Sequence, residues 1–463
     1  PLVIAPLAFS LAGALVVIAR VVEHGPLRYT VGNWRPPYGI ELVVDHLSGL
    51  MLVLIALVGL LASFSSLKSA EQELTDNEHF FFTLYLILIT GLFGLVLTAD
   101  AFNLYVLLEI TSITSYGLIA MGRGRAALSS FNYIIMGSIG ACFYLLGVGY
   151  MYILTGTLNM ADIARILPTL NAPIAVATAL AFLMVGLWIK MALFPLHGWL
   201  PNAYSQAPTA LGTMAAPLMT KVTVYLMVRI ILSMYTPAYV FSLPMVSDAV
   251  VWAAAIAIVC GSVLAFGQKD LRRMLTYIIV AEVGYMVGGV FLGNGSGLTG
   301  AVLHIVNDSL MTLCLFMVVA AIQYRQGSVS LVSLQGIYHR MPLTMAAFTL
   351  GAFAMIGVPP TCGFFSKWYL ILGGVEAGQW QYVIALVASS LINAVLFFRI
   401  IELAYFGALS GGEHHQHSSA ERCEAPWPMV KPLMFVALLL LAVGFGTGPL
   451  VDNVILLIIP VGF

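Results

Sequence analysis

Seven ionisable side chains lie inside stretches of sequence that are otherwise apolar. They are Glu109, Lys190, Lys221, Glu282, His304, Asp308 and Lys367. Each such charge costs roughly 2.5–3.5 kcal/mol at the centre of a membrane helix, so these groups usually move ions or pair with one another. Burial favours the neutral amine of a lysine, and a nearby carboxylate favours the ammonium. A lysine and a glutamate that approach and separate can therefore load and release a proton, and the set predicts proton transfer.

The composition places these residues in a membrane protein. Of the 463 residues, 61% are hydrophobic and only 8% are charged, whereas soluble domains carry about 25% charged residues. We therefore expect a multi-pass protein of the inner (cytoplasmic) cell membrane, embedded in the lipid bilayer. The net charge of −1 argues against a nucleic-acid partner.

The sequence lacks the common motifs for cofactors and metals. Its five cysteines are scattered, with no C-x-x-C pair, and it contains no Walker or H-E-x-x-H motif. We expect no metal, no cofactor and no catalytic site of its own in this chain. The triplet of His414, His415 and His417 suggests metal binding, but a solvated loop is the alternative we favour.

Thirteen apolar runs are long enough to span a membrane. They lie at about 2–22, 38–66, 80–99, 101–121, 128–155, 172–200, 207–235, 243–266, 273–293, 298–323, 341–375, 380–406 and 431–459. This pattern predicts an all-α polytopic fold. Because the chain begins with proline rather than methionine, we expect a further segment upstream.

Lysine and arginine residues in the loops predict the orientation, since cytoplasmic loops carry an excess of both. If the first segment enters from the cytoplasm, ten of these residues fall in cytoplasmic loops and three fall outside. The ten are Lys68, Arg123, Arg125, Lys269, Arg272, Arg273, Arg325, Arg340, Arg422 and Lys431, and the three are Arg28, Arg35 and Arg165. This arrangement puts Pro1 inside and the C-terminus outside.

Proline interrupts two of the segments. The sixth reads WIKMALFPLHGWLPNAY at residues 188–204, and the eleventh reads GVPPTCGFFSKWY at residues 357–369. Proline removes a helix N–H and clashes with the preceding turn. Unwound backbone at membrane depth occurs only where protein or a wet cavity surrounds it. The two segments cross in opposite directions, so segments three to seven and eight to twelve predict two inverted five-helix repeats.

The repeats divide the chain into four parts. We expect N-terminal helices at 1–79, a first repeat at 80–235, a second repeat at 243–406, and a cytoplasmic loop with a final helix at 407–463. Each repeat is expected to form a proton half-channel. Glu109 and Glu282 fall in corresponding segments, and so do Lys190 and Lys367.

Each of these residues also has a structural interpretation. Glu109 could form an ion pair between helices, and Glu282 could seal a helix contact. His304 could be a hydrogen-bonded buried histidine, while Lys367 could extend to the lipid headgroups. For Lys190, which lies mid-span beside a break, we favour the functional interpretation.

Several stretches resemble one known family. In order over most of residues 20–406, they read GNWRPPYGIELVVDHLSGLM, LYVLLEITSITSYGLIA, WIKMALFPLHGWLPNAYSQAPT, LMTKVTVYLMVR, QKDLRRMLTYIIVAEVGYM, IGVPPTCGFFSKW and INAVLFFRI. The chain is similar to the antiporter-like subunits of Mrp-type Na⁺/H⁺ antiporters, respiratory complex I and membrane-bound hydrogenases. Its opening most resembles the D-type subunit of Mrp antiporters. The resemblance implies fourteen spans, a key glutamate at Glu109, a key lysine at Lys190, a connecting lysine at Lys221 and a terminal lysine at Lys367.

One region departs from the family pattern. In HIVNDSLMTLC, Asp308 and Thr312 stand where members often have a histidine and a lysine, and Glu282 replaces a residue that is more usually uncharged. We expect the charge of Asp308 to favour protonated His304. Asp308→Asn should then shift the pH optimum of transport downward.

These observations predict an ion-translocating subunit of a larger membrane complex, with other membrane subunits as its partners. It is expected to move protons, with exchange against Na⁺ left open. The alternatives are a proton-pumping subunit of a redox complex and a scaffold that keeps the charges as ion pairs. An intramembrane enzyme would need a nucleophile–base pair or a metal cluster that the sequence does not show.

The predicted orientation can be tested by cysteine labelling. A cysteine in the loop 267–273 should react with an impermeant thiol reagent from the cytoplasmic side, and one at the C-terminus should react from the outside, because of the charge bias of the loops. Labelling of both from one side would contradict the orientation.

Overall fold

The computed structural model describes residues 2–243, 245–406 and 423–460, which form eighteen helices and one two-stranded sheet. The helices are α1 (Ile4–His24), α2 (His46–Glu73), α3 (Glu78–Leu97), α4 (Ala101–Ala120), α5 (Ala126–Thr155), α6 (Met160–Ile166), α7 (Pro173–Lys190), α8 (Leu200–Gln206), α9 (Thr209–Ile230), α10 (Pro237–Ser242), α11 (Val246–Phe266), α12 (Leu271–Phe291), α13 (Gly295–Gln326), α14 (Pro342–Ile356), α15 (Cys362–Glu376), α16 (Trp380–Phe406), α17 (Trp427–Phe445) and α18 (Thr447–Leu450). The strands are β1 (Leu27–Thr30) and β2 (Glu41–Val44). The predicted loop of His414, His415 and His417 lies outside the described residues.

The predicted all-α membrane fold is confirmed. Among the described residues, twelve helices are long and apolar enough to cross a membrane, and the shorter α14 and α15 together make up the eleventh predicted segment. The second segment was predicted from residue 38, but α2 begins at His46. The reason is that residues 41–44 form β2, which pairs antiparallel with β1, with Leu27 opposite Val44.

Four helices form the centre of the molecule. The apolar part of α13 is buried along its whole length, and α9, α12 and α2 are mostly buried. α9 packs against both α2 and α13, and α12 packs against α13. By contrast, α1 presents most of its surface outward, as expected for a helix that faces lipid. Charges carried by the central helices must therefore find partners inside the protein.

Both predicted helix breaks are present. α7 ends at Lys190 and α8 begins at Leu200, while α14 ends at Ile356 and α15 begins at Cys362. Prolines stand in both intervals, at Pro195 and at Pro359–Pro360. A break leaves the last carbonyls of the first half-helix without intrahelical donors, so nearby side chains can bind to them.

The same local structure begins α4 and α12. Asp100 accepts a hydrogen bond from a backbone N–H of the first turn of α4, and Asp270 does the same for α12. Each aspartate also forms an isolated antiparallel bridge, Asp100 with Asn159 and Asp270 with Ser330. The two helices cross the membrane in opposite predicted directions, so the motif occurs once at each face, as an inverted repeat requires.

A charged pair fixes the outer end of α2. Asp45 caps α2 together with Ser48, and its carboxylate binds Arg229 of α9 at 2.5 and 2.8 Å. Burial alone would raise the pKa of the Asp45 carboxyl, but the Arg229 guanidinium and the Ser48 groups hold that pKa well below its usual range. Asp45 is therefore ionised at neutral pH, and the bidentate pair ties α2 to α9.

Asp45→Asn should weaken this tie. The amide keeps an oxygen for the helix cap but loses the charge, which should cost about 1.5–3 kcal/mol, the range for a hydrogen bond to a charged group. The midpoint of thermal unfolding of the purified protein measures the loss. Glu71→Gln is the control because both side chains of its pair with Lys68 are exposed, and exposed pairs contribute about 0–1 kcal/mol. Equal midpoints for the two variants would contradict the expectation.

Candidate functional site

Glu109 and Lys190 form the first buried pair. Lys190 is the last residue of α7, and its Nζ donates to Glu109 Oε1 at 3.2 Å and to Ser112 Oγ at 2.6 Å. Both partners lie on α4 and share one helix face. The Lys190 side chain is 4% exposed, whereas that of Glu109 is 29% exposed. The lysine is therefore held in place, and the glutamate has room to move away from it.

Lys221 and Asp308 form the second pair and join α9 to α13. Lys221 Nζ lies 2.8 Å from Asp308 Oδ2, and neither side chain is exposed. Lys221 also reaches Thr312 Oγ1 at 3.4 Å and the carbonyl of Ala216 at 3.3 Å. The Thr312 hydroxyl donates to Asp308 Oδ1 at 2.9 Å. A buried pair of this kind needs such additional hydrogen bonds to offset the cost of desolvation.

Glu282 and His304 form the third pair, between α12 and α13. His304 Nε2 lies 2.5 Å from Glu282 Oε2, and both side chains are fully buried. The other ring nitrogen, Nδ1, lies 2.9 Å from Ser366 Oγ of α15. Glu282 Oε1 has no partner among the described residues. The imidazole thus connects a carboxylate to a hydroxyl, which allows a proton to enter at one nitrogen and leave at the other.

Lys367 has a different environment from Lys190. Its Nζ donates to the carbonyl of Met355 at 2.6 Å and to Ser390 Oγ at 3.4 Å, and it lies 5.1 Å from the centre of the Tyr285 ring. Within the described chain, no carboxylate lies within ion-pair distance of it. Met355 is the penultimate residue of α14, so the ammonium binds the free end of a broken helix. Lys367 is buried, which rules out the interpretation that it extends to the headgroups.

The predicted correspondence between the repeats holds for the helices that carry these residues, but not for the positions of the residues within those helices. Counted from the aspartate caps, Glu282 lies one helical turn further along α12 than Glu109 does along α4. Lys190 precedes its break, whereas Lys367 follows its own. Glu109 and Lys190 consequently meet, while Glu282 binds His304 instead of Lys367.

The sequence led us to expect that the charge of Asp308 acts on His304. The carboxylate that binds His304 is that of Glu282, and Asp308 binds Lys221. The physical reason is that side chains one turn apart on α13 can reach different neighbouring helices. The effect of Asp308→Asn on the pH optimum stays a prediction, and it no longer follows from a direct contact.

Three hydroxyl groups complete the arrangement. Ser112, Thr312 and Ser366 lie beside the first, second and third pair respectively. The sequence drew attention to Thr312 but not to Ser366, whose only signal is that it precedes Lys367. Among the residues that the structure describes, no group of three or more histidine, cysteine or acidic side chains could hold a metal ion. Alternating acids, bases and hydroxyls can pass protons between neighbours, because each group can accept one proton and release another.

This combination of broken helices in inverted repeats and buried acid–base pairs defines an antiporter-like membrane subunit. A family model described as NADH:quinone oxidoreductase/Mrp antiporter, transmembrane, matches residues 98–393. The chain belongs to this family, and all seven predicted ionisable residues fall within the matched part.

Known proteins extend the similarity over nearly the whole chain. NADH-quinone oxidoreductase subunit N of Desulforudis audaxviator (strain MP104C) is 43% identical over 462 residues, which cover 98% of this chain and 92% of the relative. A chain of the membrane-bound sulfane sulfur reductase, an archaeal respiratory membrane complex, is 30% identical with a TM-score of 0.90, over 98% of this chain and 91% of its own length. A chain of the Mrp complex from Dietzia sp. DQ12-45-1b is 25% identical with a TM-score of 0.89, over 99% and 91%. The resemblance to the D-type Mrp subunit is therefore not specific.

Variants of the second pair should separate its structural and functional roles. Asp308→Asn leaves Lys221 buried without its carboxylate, which should cost about 3–5 kcal/mol of stability. The double variant Lys221→Met with Asp308→Leu removes both charges and should recover most of that loss. Transport should be lost in the double variant, because it retains neither titrating group.

Thermal unfolding and proton movement in sealed vesicles, measured on the same preparations, check this prediction. Lys221→Met alone serves as the second single variant. A double variant that is stable and transports at the wild-type rate would show that the pair only holds the helices together.

Proposed function

We propose that this chain is a proton-translocating subunit of a multisubunit membrane complex. Protons move at mid-depth in the membrane along the seven ionisable residues. Each proton passes from one acid–base pair to the neighbouring pair. The proposal rests on the position of Lys190. This buried lysine is the last residue of a broken helix, and its ammonium donates hydrogen bonds to Glu109 and Ser112. If Lys190 only held two helices together, it would gain nothing from pairing with Glu109, a carboxylate that is partly exposed and has room to move away.

The first pair can act as a switch for one proton. With Glu109 close, Lys190 is stabilised as the ammonium, and when the carboxylate moves away, burial favours the neutral amine. Separating a buried pair costs about 3–5 kcal/mol, so energy must come from outside the pair. The break after Lys190 supplies irregular backbone that water and side chains can approach. We propose that each repeat, 80–235 and 243–406, forms one half-channel.

The similarity to an oxidoreductase subunit supports a redox-driven complex, since the relative named NADH-quinone oxidoreductase subunit N is 43% identical. The structural match to a chain of an Mrp complex favours a second candidate, a Na⁺/H⁺ antiporter in which this chain takes the place of the D-type subunit. The proteins that copurify distinguish the two. Flavin or iron–sulfur subunits would identify the redox complex, and small hydrophobic subunits would identify the antiporter.

Substitutions of Lys190 test the proposal. Lys190→Ala and Lys190→Arg should both abolish proton movement while the complex still assembles, because a guanidinium with a pKa above about 12 does not release its proton. Glu109→Gln should fail in the same way, since a neutral amide cannot change the protonation of the lysine. Dye-reported proton movement in sealed vesicles and recovery of the purified complex are the two measurements.

Lys431→Ala is the matched control, because that lysine is exposed at the start of α17 and takes no part in the proposed path. A scaffold predicts the opposite order, in which Lys190→Arg keeps the ion pair and function while Lys190→Ala impairs assembly. Wild-type transport by Lys190→Arg would overturn the proposed function.

A further inference from the structure

A polar cavity opens at the predicted cytoplasmic end of the central helices. It has a volume of about 240 Å³ and its lining includes Glu73, Arg123, Gln206, Arg272 and Gln323. These residues come from both repeats and from α2. Since a water molecule occupies about 30 Å³ in the liquid, the cavity has room for several.

Two of the lining groups are suited to hold water there. Arg272 is 8% exposed, and its Nη2 donates to the carbonyls of Ala207 and Pro208 at 2.7 and 3.2 Å. Its Nε, however, has no partner in the described part of the chain. Glu73 accepts a hydrogen bond from the backbone N–H of Thr209 at 2.7 Å through Oε2. A buried unpaired donor beside a carboxylate indicates ordered water.

Hydroxyl groups continue from this cavity between α2 and α9. Ser66 Oγ lies 3.1 Å from Thr213 Oγ1 and donates to the Ala210 carbonyl at 3.0 Å, and both hydroxyl-bearing residues are fully buried. Along α9, Thr209, Thr213 and Thr220 recur at helical spacing, and Thr220 is adjacent to Lys221. The polar side chains thus form a line from the cavity to the second pair.

Two hydroxyl groups near this line lack partners, and a proline interrupts the backbone hydrogen bonding of α9. Thr220 Oγ1 and Ser65 Oγ are buried and form no hydrogen bond within the described residues. Pro217 lies inside α9 and has no N–H to donate to the Thr213 carbonyl. Unpaired groups at this depth are costly unless water reaches them, so the contact between α2 and α9 is a place where water is favoured.

We propose that this contact is a proton inlet from the cytoplasmic side that serves Lys221 directly, a proposal that rests on the proposed function. A hydronium ion that enters the cavity from the cytoplasm protonates the Glu73 carboxylate and leaves a water molecule behind. The proton then passes along water and the hydroxyls of Thr213 and Ser66, each of which accepts one proton and releases another. It ends on the neutral amine of Lys221, which becomes the ammonium beside Asp308. The inlet therefore reaches the junction of the two repeats without passing Lys190.

Glu73→Gln tests the mouth of the inlet. The amide oxygen can still accept from the Thr209 N–H but cannot exchange a proton, so proton movement should fall on the order of a hundredfold, the effect of losing a positioned proton-transfer group. Glu71→Gln is the matched control, because Glu71 lies on the same helix but pairs with Lys68 at the surface. Normal complex recovery with wild-type transport by Glu73→Gln would overturn the role of Glu73.

Thr213→Cys tests the route. In a background with Cys142, Cys260 and Cys423 replaced by serine, a small impermeant thiol reagent added from the cytoplasmic side should modify this cysteine, and the labelled fraction of the purified protein measures the reaction. Ser63→Cys should stay unmodified, because Ser63 is fully buried and its hydroxyl binds only the carbonyl of its own helix. Protection of Thr213→Cys would overturn the water-filled route.

The two proposals fail in different ways. If Lys190→Arg transports normally, the proposed function is wrong. If Lys190 variants are inactive but Glu73→Gln transports at the wild-type rate and Thr213→Cys is protected, protons reach the path elsewhere and only the inlet is wrong.

Discussion

The ion pair between Lys221 and Asp308 joins the two halves of the molecule. Lys221 belongs to the first repeat and Asp308 to the second, and both are fully buried. Opposite charges in such surroundings are stable only while they remain close and hydrogen-bonded, so α9 and α13 are held at one relative depth. The first pair joins α4 to α7 in the first repeat, and the third pair joins α12 to α13 in the second. A change of protonation at Lys221 or Asp308 therefore changes the electrostatic potential in both repeats.

The three pairs are not equivalent in their freedom to respond. Glu109 is partly exposed, whereas Glu282, His304 and Asp308 are enclosed on every side. Displacement of a charged side chain is least costly where the side chain is exposed. Of the three pairs, the pair of Glu109 and Lys190 therefore has the greatest freedom to move. Lys367 binds backbone carbonyls and a hydroxyl in place of a carboxylate. Its ammonium is therefore stabilised by neutral dipoles, whose effect is weaker than that of a full opposite charge.

The elements of the fold could be predicted from the sequence because they depend on one-dimensional signals. Apolar length indicated the spans, proline indicated both breaks, and opposite crossing directions indicated the inverted repeats. The partners of buried charges could not be predicted in the same way. Whether Asp308 faces His304 or Lys221 depends on the rotation of α13 against α9, and the pairing of Asp45 with Arg229 depends on a contact between distant helices. The hairpin before α2 was missed because Leu42, Val43 and Val44 of its second strand run almost directly into the apolar span.

α2 is attached to α9 at both ends and near its middle. Asp45 binds Arg229 at the outer end, Glu73 binds the start of α9 at the inner end, and Ser66 meets Thr213 between them. A helix of 28 residues is about 42 Å long, and one that is anchored at both tips cannot slide along its axis like a piston. α2 and α9 therefore keep a fixed axial position relative to each other. The half-helices that flank the breaks, whose backbone hydrogen bonding is interrupted, are left with the greater freedom to move.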